Sequence, residues 1–146
     1  MFVGQYNHNL DNKGRLAVPA KFRKELKKAV VTQGLDNCLV LYPQKEWQKV
    51  AQKFSSLPIN KANNRAMSRF MLAGATEVEF DGQGRIILPE YLRKFAGLSK
   101  NVVIAGLYNY LEIWDEKDWN EYKAKTEKNS TDIAEALSDL NSSVSL

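Results

Sequence analysis

Two short segments carry the residues of this sequence that are best suited to chemistry. Residues 11–15 read Asp-Asn-Lys-Gly-Arg, and residues 81–85 read Asp-Gly-Gln-Gly-Arg. Arg, Lys and Gln are the side chains that reach the major-groove edges of guanine and adenine and the oxygens of phosphate. The segments therefore predict hydrogen bonding to a polyanion, with Lys13, Arg15 and Arg85 as donors.

The sequence offers little for catalysis or for metal binding. His8 is the only histidine and Cys38 the only cysteine, and neither stands in a Glu-x-x-His or Cys-x-x-Cys spacing. Nothing supplies a nucleophile with its base, and residues 82–84 lack the third glycine of a dinucleotide-binding loop. We therefore expect no catalytic residue, no metal ligand and no cofactor, and we interpret His8 as a structural imidazole.

The two loops belong to a longer duplication. Residues 11–24 and 81–94 share the pattern Asp-x-x-Gly-Arg, three apolar residues, Pro and a later Arg-Lys pair. The match continues downstream at an offset of seventy-two, because the second copy carries two extra residues near 95–97. A repeat of this length predicts two supersecondary modules in one chain.

Each copy predicts the same order of elements. An alternating apolar stretch, a glycine-containing turn and an apolar run ending at Pro19 or Pro89 indicate a β-hairpin. Proline then suits the start of a short helix, over 20–28 in the first copy and 90–96 in the second. A second hairpin and further helices follow, with strands at 30–32, 38–42, 102–104 and 110–114, and helices at 44–55, 61–73 and after 115.

The turn inside each first hairpin has a physical explanation. An Asp side chain accepts hydrogen bonds from backbone N–H groups two or three residues on, and Gly accepts a positive φ without strain. The predicted loop-forming residues are Asp11, Gly14, Asp81 and Gly84. An alternative interpretation is that each Asp–Arg couple is only an ion pair, with Gly and Pro kept for backbone reasons.

Neither copy is large enough to fold alone. About forty residues cannot bury enough apolar surface to offset their ordering entropy. We therefore expect a mainly β fold with peripheral α-helices (α+β), in which two copies interleave around one core as a small, nearly closed barrel with pseudo-two-fold symmetry. The predicted organisation is a first repeat with its helix at 1–56, a linking helix at 57–75, a second repeat with its helix at 76–125 and a C-terminal helical tail at 126–146.

Charge is unevenly distributed along the chain. The net charge is +4, but residues 127–146 carry −3, which leaves +7 for residues 1–126. A positive field of this kind attracts polyanions, although a lysine-rich segment also fits a solvated helix face. No apolar run reaches the ~20 residues that span a bilayer, and the N-terminus lacks a signal-peptide pattern, so we expect a cytoplasmic protein without a membrane partner.

The second copy resembles the signature of the SpoVT/AbrB family of swapped-hairpin DNA-binding domains. Residues 81–94 match its pattern of Asp-x-x-Gly-Arg, apolar residues, Pro, x-x-apolar-Arg, and residues 11–15 fit it too. Two such units, with an opening Phe-x-Gly-x-Tyr at residues 2–6 and the paired Trp47 and Trp119, resemble the MraZ family of bacterial transcriptional regulators.

The resemblance implies a swapped-hairpin, double-split β-barrel built from both repeats. It also implies a ring-shaped homo-oligomer at the nucleoid that presents its loops to repeated double-stranded DNA sites in the promoter of the division and cell-wall gene cluster. By position, Arg15 and Arg85 become the leading DNA contacts, with Lys13 beside the first. Arg23 and Arg93, at the later Arg of the pattern, form a second tier of contacts.

Two points depart from this simple picture. Gln83 stands where the first copy has Lys13, so the second loop is expected to contribute less affinity. AbrB-like folds also occur in antitoxins, whose tails clamp a protein. The acidic, amphipathic segment 130–140 fits such a tail, so an antitoxin or protein-interaction module stays open as the alternative function.

Overall fold

The computed structural model describes residues 1–140. Their elements, in chain order, are β1 (Phe2–Asn9), β2 (Arg15–Ala17), α1 (Ala20–Arg23), β3 (Lys28–Gln33), β4 (Leu39–Pro43), α2 (Gln44–Ser55), α3 (Ala62–Ser68), β5 (Thr76–Glu79), β6 (Arg85–Ile87), α4 (Glu90–Phe95), β7 (Asn101–Tyr108), β8 (Leu111–Asp115), α5 (Glu116–Lys128) and α6 (Ser130–Leu140). A 3₁₀ turn at Leu35–Asn37 joins β3 to β4, and a π-helical turn at Arg69–Ala73 follows α3.

The larger sheet has six antiparallel strands in the order β1-β7-β8-β4-β3-β5. Exchanging each strand for its equivalent in the other repeat gives the same order read from the opposite edge. A pseudo-two-fold axis therefore passes between β8 and β4. The first strand of each repeat pairs with a strand of the other, β1 with β7 and β5 with β3. This exchange is the hairpin swap that the sequence resemblance implies.

The smaller sheet is a two-stranded antiparallel ribbon formed by β2 and β6, one strand from each repeat. Its pairs are Arg15 with Ile87, Leu16 with Ile86, and Ala17 with Arg85. Two further backbone bonds extend the ribbon: Val18 N donates to Gly84 O, at 3.2 Å, and Leu88 N donates to Gly14 O, at 2.8 Å. Each repeat thus contacts the loop of the other through its backbone.

Both repeats contribute to one hydrophobic core. Equivalent positions of the two copies, Leu16 with Ile86 and Val18 with Leu88, are fully buried in the same cluster. The expected mainly β, α+β architecture with two repeats around a shared core is confirmed. The hydrogen-bonded ladder of the larger sheet ends at β1 on one side and β5 on the other, so backbone pairing does not close it into a barrel.

Several element boundaries differ from the sequence expectations. The helix expected over 20–28 is only the single turn Ala20–Arg23, because the chain turns at Leu26 and the strand β3 already begins at Lys28. The helix expected over 61–73 divides into α3 and the π-helical turn. Strand β7 extends through Tyr108, where a hydrogen bond from Leu107 N to Tyr110 O tightens the connection to β8.

Residues Met1–Glu116 form one compact unit that contains all eight described strands, and α5 from Lys117 onward belongs with α6 to a second. Of the predicted C-terminal tail at 126–146, residues 141–146 lie outside the described residues. None of the helices within residues 1–140 is long and apolar enough to cross a membrane.

Candidate nucleic-acid interface

The first loop is a turn closed by the Asp11 side chain. Its Oδ1 accepts the backbone N–H groups of Lys13, at 2.9 Å, and Arg15, at 2.8 Å. Its Oδ2 accepts Nε of Arg15 at 2.6 Å. Gly14 takes a φ of +80° at the point where the chain reverses, and its N–H donates to Asp11 O. The turn therefore fixes both the backbone and the direction of the Arg15 side chain.

The second loop repeats this bonding group by group. Oδ1 of Asp81 accepts the backbone N–H groups of Gln83, at 2.8 Å, and Arg85, at 3.0 Å, and Oδ2 accepts Nε of Arg85 at 2.8 Å. Gly84 has a φ of +75°. The two copies thus share one loop geometry, in which the Asp side chain binds the N–H groups two and four residues on, where two or three was expected. The residues between Asp and Gly differ.

Both Asp carboxylates are held in their charged form. The backbone N–H of Arg15 is the main cause that lowers the pKa of Asp11, and the backbone N–H of Arg85 has the same effect on the pKa of Asp81. The paired guanidinium and a second backbone N–H lower both pKa values further. The loops are accordingly closed throughout the neutral pH range.

The Asp–Arg ion pair that the sequence offered as an alternative is present, and it orients the arginine. The Arg15 and Arg85 side chains are 31% and 27% exposed, and each binds its Asp through Nε. Within residues 1–140, neither arginine forms a hydrogen bond through its Nη groups. The ion pair therefore leaves the outer Nη edge of each guanidinium for an external acceptor. This edge forms paired hydrogen bonds to phosphate or guanine.

The ribbon places the two arginines on one surface. Leu16 and Ile86 point into the core, so the alternation of a strand turns Arg15, Ala17, Arg85 and Ile87 to the opposite face. Lys13 and Gln83 are exposed in the loops at the two ends of this face. The structure therefore brings the leading predicted contacts of both copies together.

Arg23 and Arg93 occupy a different kind of position. Nε of Arg23 donates to Val18 O, and Nε of Arg93 donates to Leu88 O, both at 2.9 Å. Both side chains are partly buried, and each lies against the loop glycine of the other repeat. A Cβ at Gly84 would overlap the guanidinium of Arg23, and one at Gly14 would lie 3.0 Å from Nε of Arg93. The shared sequence pattern identified the two arginines without revealing this crossing.

The outer surface beside the ribbon contains residues that the sequence interpretation did not select. Glu77, Glu79 and Ile87 line one shallow hollow, and Ile87 is 62% exposed. The equivalent positions of the first copy, at the offset of seventy, are Asn7, Asn9 and Ala17. This offset, extended upstream of the motif, is the signal that identifies them.

The structure also bears on the remaining titratable groups. Partial burial, followed by the nearby charge of Arg23, lowers the pKa of His8, which keeps this imidazole neutral at physiological pH. Cys38 is buried, and burial raises the pKa of its thiol. Among residues 1–140, no group of three or more His, Cys, Asp or Glu side chains is arranged to hold a metal ion.

Comparison with known proteins places this geometry in a family. The family model described as "MraZ protein, putative antitoxin-like" matches the chain twice, over residues 1–70 and 71–141. Proteins named transcriptional regulator MraZ are similar over nearly their whole length. One from Halothermothrix orenii is 52% identical over 96% of this chain and 99% of its own, and one from Desulforamulus reducens is 50% identical over the same shares. A third, from Pediococcus pentosaceus, is 52% identical over 95% of this chain and 98% of its own.

Proposed function

Because the chain belongs to the MraZ family, we propose that it is a DNA-binding transcriptional regulator that contacts double-stranded DNA through its two Asp-x-x-Gly-Arg loops. The relatives are named as regulators of transcription, so its function is regulation and not catalysis. The observation that carries the proposal is the pair of identically bonded loops, which aim the Nη edges of Arg15 and Arg85 outward from one ribbon.

A two-stranded ribbon has the dimensions to enter the major groove of B-DNA. In that position the outer edge of each arginine forms bidentate hydrogen bonds to guanine or to a backbone phosphate. The loops are rigid before DNA arrives, because backbone and side-chain bonds of Asp11 and Asp81 already fix them. Little conformational entropy is then lost on binding.

We further propose that the protein acts as a ring-shaped homo-oligomer on repeated promoter sites of the division and cell-wall gene cluster, at the nucleoid. One ribbon contacts few base pairs, so specificity requires several ribbons meeting several sites at a matched spacing. Two features of the chain support self-association. The larger sheet ends in the edge strands β1 and β5, and Val3, Leu107 and Tyr108 form an exposed apolar group at one end of β1 and β7.

The second candidate function is that of an antitoxin or protein-interaction module. The family description contains the word antitoxin-like, and α6 exposes Ile133 and Leu137 one turn apart. An amphipathic helix of this kind fits an apolar groove on a protein partner. Salt separates the two functions, because DNA binding through several Lys and Arg contacts weakens steeply as salt is added, whereas an apolar helix interface does not.

The direct test is the fluorescence anisotropy of a labelled duplex from the region upstream of this gene, titrated with the full-length protein at several salt concentrations. The wild type should bind with a steep salt dependence. Arg15→Ala should raise Kd about 100-fold and Arg85→Ala about 10-fold, since every subunit of an oligomer loses the contact. Arg69→Ala removes the same charge from the π-helical turn and serves as the control. Its Kd is expected to stay within about twofold of the wild-type value.

A mass measurement and thermal denaturation accompany the titration. If Arg15→Ala and Arg85→Ala proteins that are folded and oligomeric bind the duplex as tightly as the wild type, the proposed loop mechanism is wrong.

A further inference from the structure

The two arginines of the short helical segments connect the repeats in a crossed manner. Arg23 is the last residue of α1 in the first repeat, yet its guanidinium lies over Gly84 in the loop of the second. Arg93, in α4 of the second repeat, lies over Gly14 in the loop of the first, with its Nε 3.0 Å and its Cζ 3.1 Å from the place of a Cβ. The arrangement obeys the pseudo-two-fold symmetry, so it is present twice in one chain.

Each of these guanidinium groups is held from its own side. Arg23 Nε donates to Val18 O and Arg93 Nε to Leu88 O, at the residue that directly follows each ribbon strand. The same two residues donate backbone bonds to the opposite loops, Val18 N to Gly84 O and Leu88 N to Gly14 O. Each of them binds the arginine with its carbonyl and the loop glycine with its N–H. The loop therefore packs against the guanidinium of the other repeat.

We propose that Arg93 is a positioning residue for the loop of Lys13 and Arg15, and that Arg23 is a positioning residue for the loop of Gln83 and Arg85. The inference rests on the proposed function for its DNA consequence, but the crossing itself does not. Each DNA-contacting unit then contains parts of both repeats. The first unit joins Lys13 and Arg15 to Arg93, and the second joins Arg85 to Arg23.

The crossing also explains why the loop glycines have no side chain. A positive φ alone would favour Gly only moderately over Asn or Asp. Gly14 and Gly84 are in addition buried. A Cβ at Gly84 would overlap the guanidinium of Arg23, and one at Gly14 would meet both Leu88 O and the guanidinium of Arg93. Removing the arginine is expected to open a gap over the glycine, which allows the loop to move and its DNA-contacting arginine to lose its aim.

Hydrogen–deuterium exchange of the full-length protein tests the crossing without DNA. Arg93→Ala should raise exchange of the backbone amides in residues 11–15 about tenfold and leave residues 81–85 within about twofold. Arg23→Ala should give the reverse pattern. Arg93→Lys keeps the charge but lacks the planar group and the Nε donor, so it should loosen residues 11–15 as Arg93→Ala does.

A double-mutant cycle on the duplex from the region upstream of this gene then tests the DNA consequence. The double variant Arg93→Ala with Arg15→Ala should raise Kd by a factor at least about threefold smaller than the product of the two single-variant factors, because both residues act through one unit. The single-variant factors for Arg93→Ala and Arg85→Ala should multiply within about twofold.

The outcomes separate the two proposals. Exchange that rises in the arginine's own loop, or equally in both loops, overturns the crossed positioning whatever the DNA results are. Crossed exchange together with Arg93→Ala coupled to Arg85→Ala, and not to Arg15→Ala, overturns its role in DNA contact. Crossed exchange in a protein whose wild type does not bind the duplex supports the positioning and contradicts the proposed function.

Discussion

The loops at residues 11–15 and 81–85 have the same backbone and different surfaces. Asp and Gly are retained in both loops. The Asp side chain closes the turn through hydrogen bonds, and Gly adopts its positive φ. Between them, Lys13 of the first loop is replaced by Gln83 in the second, and both of these side chains are exposed. The residues that close the turn are therefore the same in both loops, whereas the side chains that point outward differ.

The difference extends along the strands that lead into the loops. The exposed Asn7 and Asn9 of β1 correspond to the exposed Glu77 and Glu79 of β5. Each of these three changes from the first copy to the second therefore removes positive charge or adds negative charge. Because DNA presents a dense row of phosphates, we expect the loop that carries Lys13 to contribute more affinity than the loop that carries Gln83.

The largest effect that distinguishes the two loops is expected at their glycines. Gly14→Ala places a Cβ 2.9 Å from the backbone oxygen Leu88 O, whereas Gly84→Ala places it against the flexible end of the Arg23 side chain. Both variants also strain a positive φ, which costs about 1–3 kcal/mol. We expect Gly14→Ala to lower the free energy of unfolding by about 2–3 kcal/mol and Gly84→Ala by about 1–2 kcal/mol, measured by chemical denaturation.

The contribution of Arg23 to this difference is separable. In an Arg23→Ala background the overlap with the guanidinium at residue 84 is gone, so Gly84→Ala should cost less there than in the wild type. Gly14→Ala should cost the same in both backgrounds. Equal costs of Gly84→Ala with and without Arg23 would show that the guanidinium does not restrict this loop.

The features that the sequence predicted correctly are those with local causes. Asp, Gly and Pro at fixed offsets specify a turn and a helix start within a few residues, and alternation specifies which side of a strand is buried. Consequently the burial of Leu16 and Ile86 and the bonds from the Asp11 and Asp81 side chains to the N–H groups two residues on agree with the expectations. The second bond of each Asp reaches the N–H four residues on. The duplication supplied the further inference that both copies share one core.

The features that the sequence did not reveal depend on contacts between distant residues. Nothing near Arg93 indicates that its guanidinium lies over Gly14, seventy-nine positions earlier, because that contact arises only when the two repeats interleave. The shortness of α1 has a similar cause. Residues 24–28 have a helical composition, but pairing of β3 with β4 and β5 begins at their end and overrides it.

Exchanging Lys13 and Gln83 between the copies tests whether their charge difference sets the balance of the two loops. Lys13→Gln should raise Kd for the upstream duplex about fivefold and reduce the slope of log Kobs against log salt by about 0.9, the value for one phosphate contact. Gln83→Lys should lower Kd by a similar factor and steepen the slope by the same amount. Fluorescence anisotropy over a salt series measures both quantities.

The double exchange, Lys13→Gln with Gln83→Lys, is the matched control because it preserves net charge. If the two loops are equivalent presentations that differ only here, the double variant should recover nearly the wild-type slope. A slope that Gln83→Lys leaves unchanged would mean that the second loop lies away from the phosphates.

The smallest expected effect concerns Glu77 and Glu79. Their carboxylates lie beside Ile87, which pairs with Arg15 across the ribbon, so they act on the side of the surface where Arg15 emerges. Replacing both by Asn, as in the first copy, removes two negative charges and should lower Kd for the upstream duplex about two- to threefold at low salt. Because long-range repulsion between exposed charges is screened, the gain should vanish above about 0.3 M salt. Asn7→Glu with Asn9→Glu is the mirror variant, on the side where Arg85 emerges because Ala17 pairs with Arg85. It should weaken binding by less, since the loop of Lys13 and Arg15 is expected to contribute more affinity. An equal response of the two halves would contradict that asymmetry and would place the pseudo-two-fold axis of the ribbon on the axis of the DNA site.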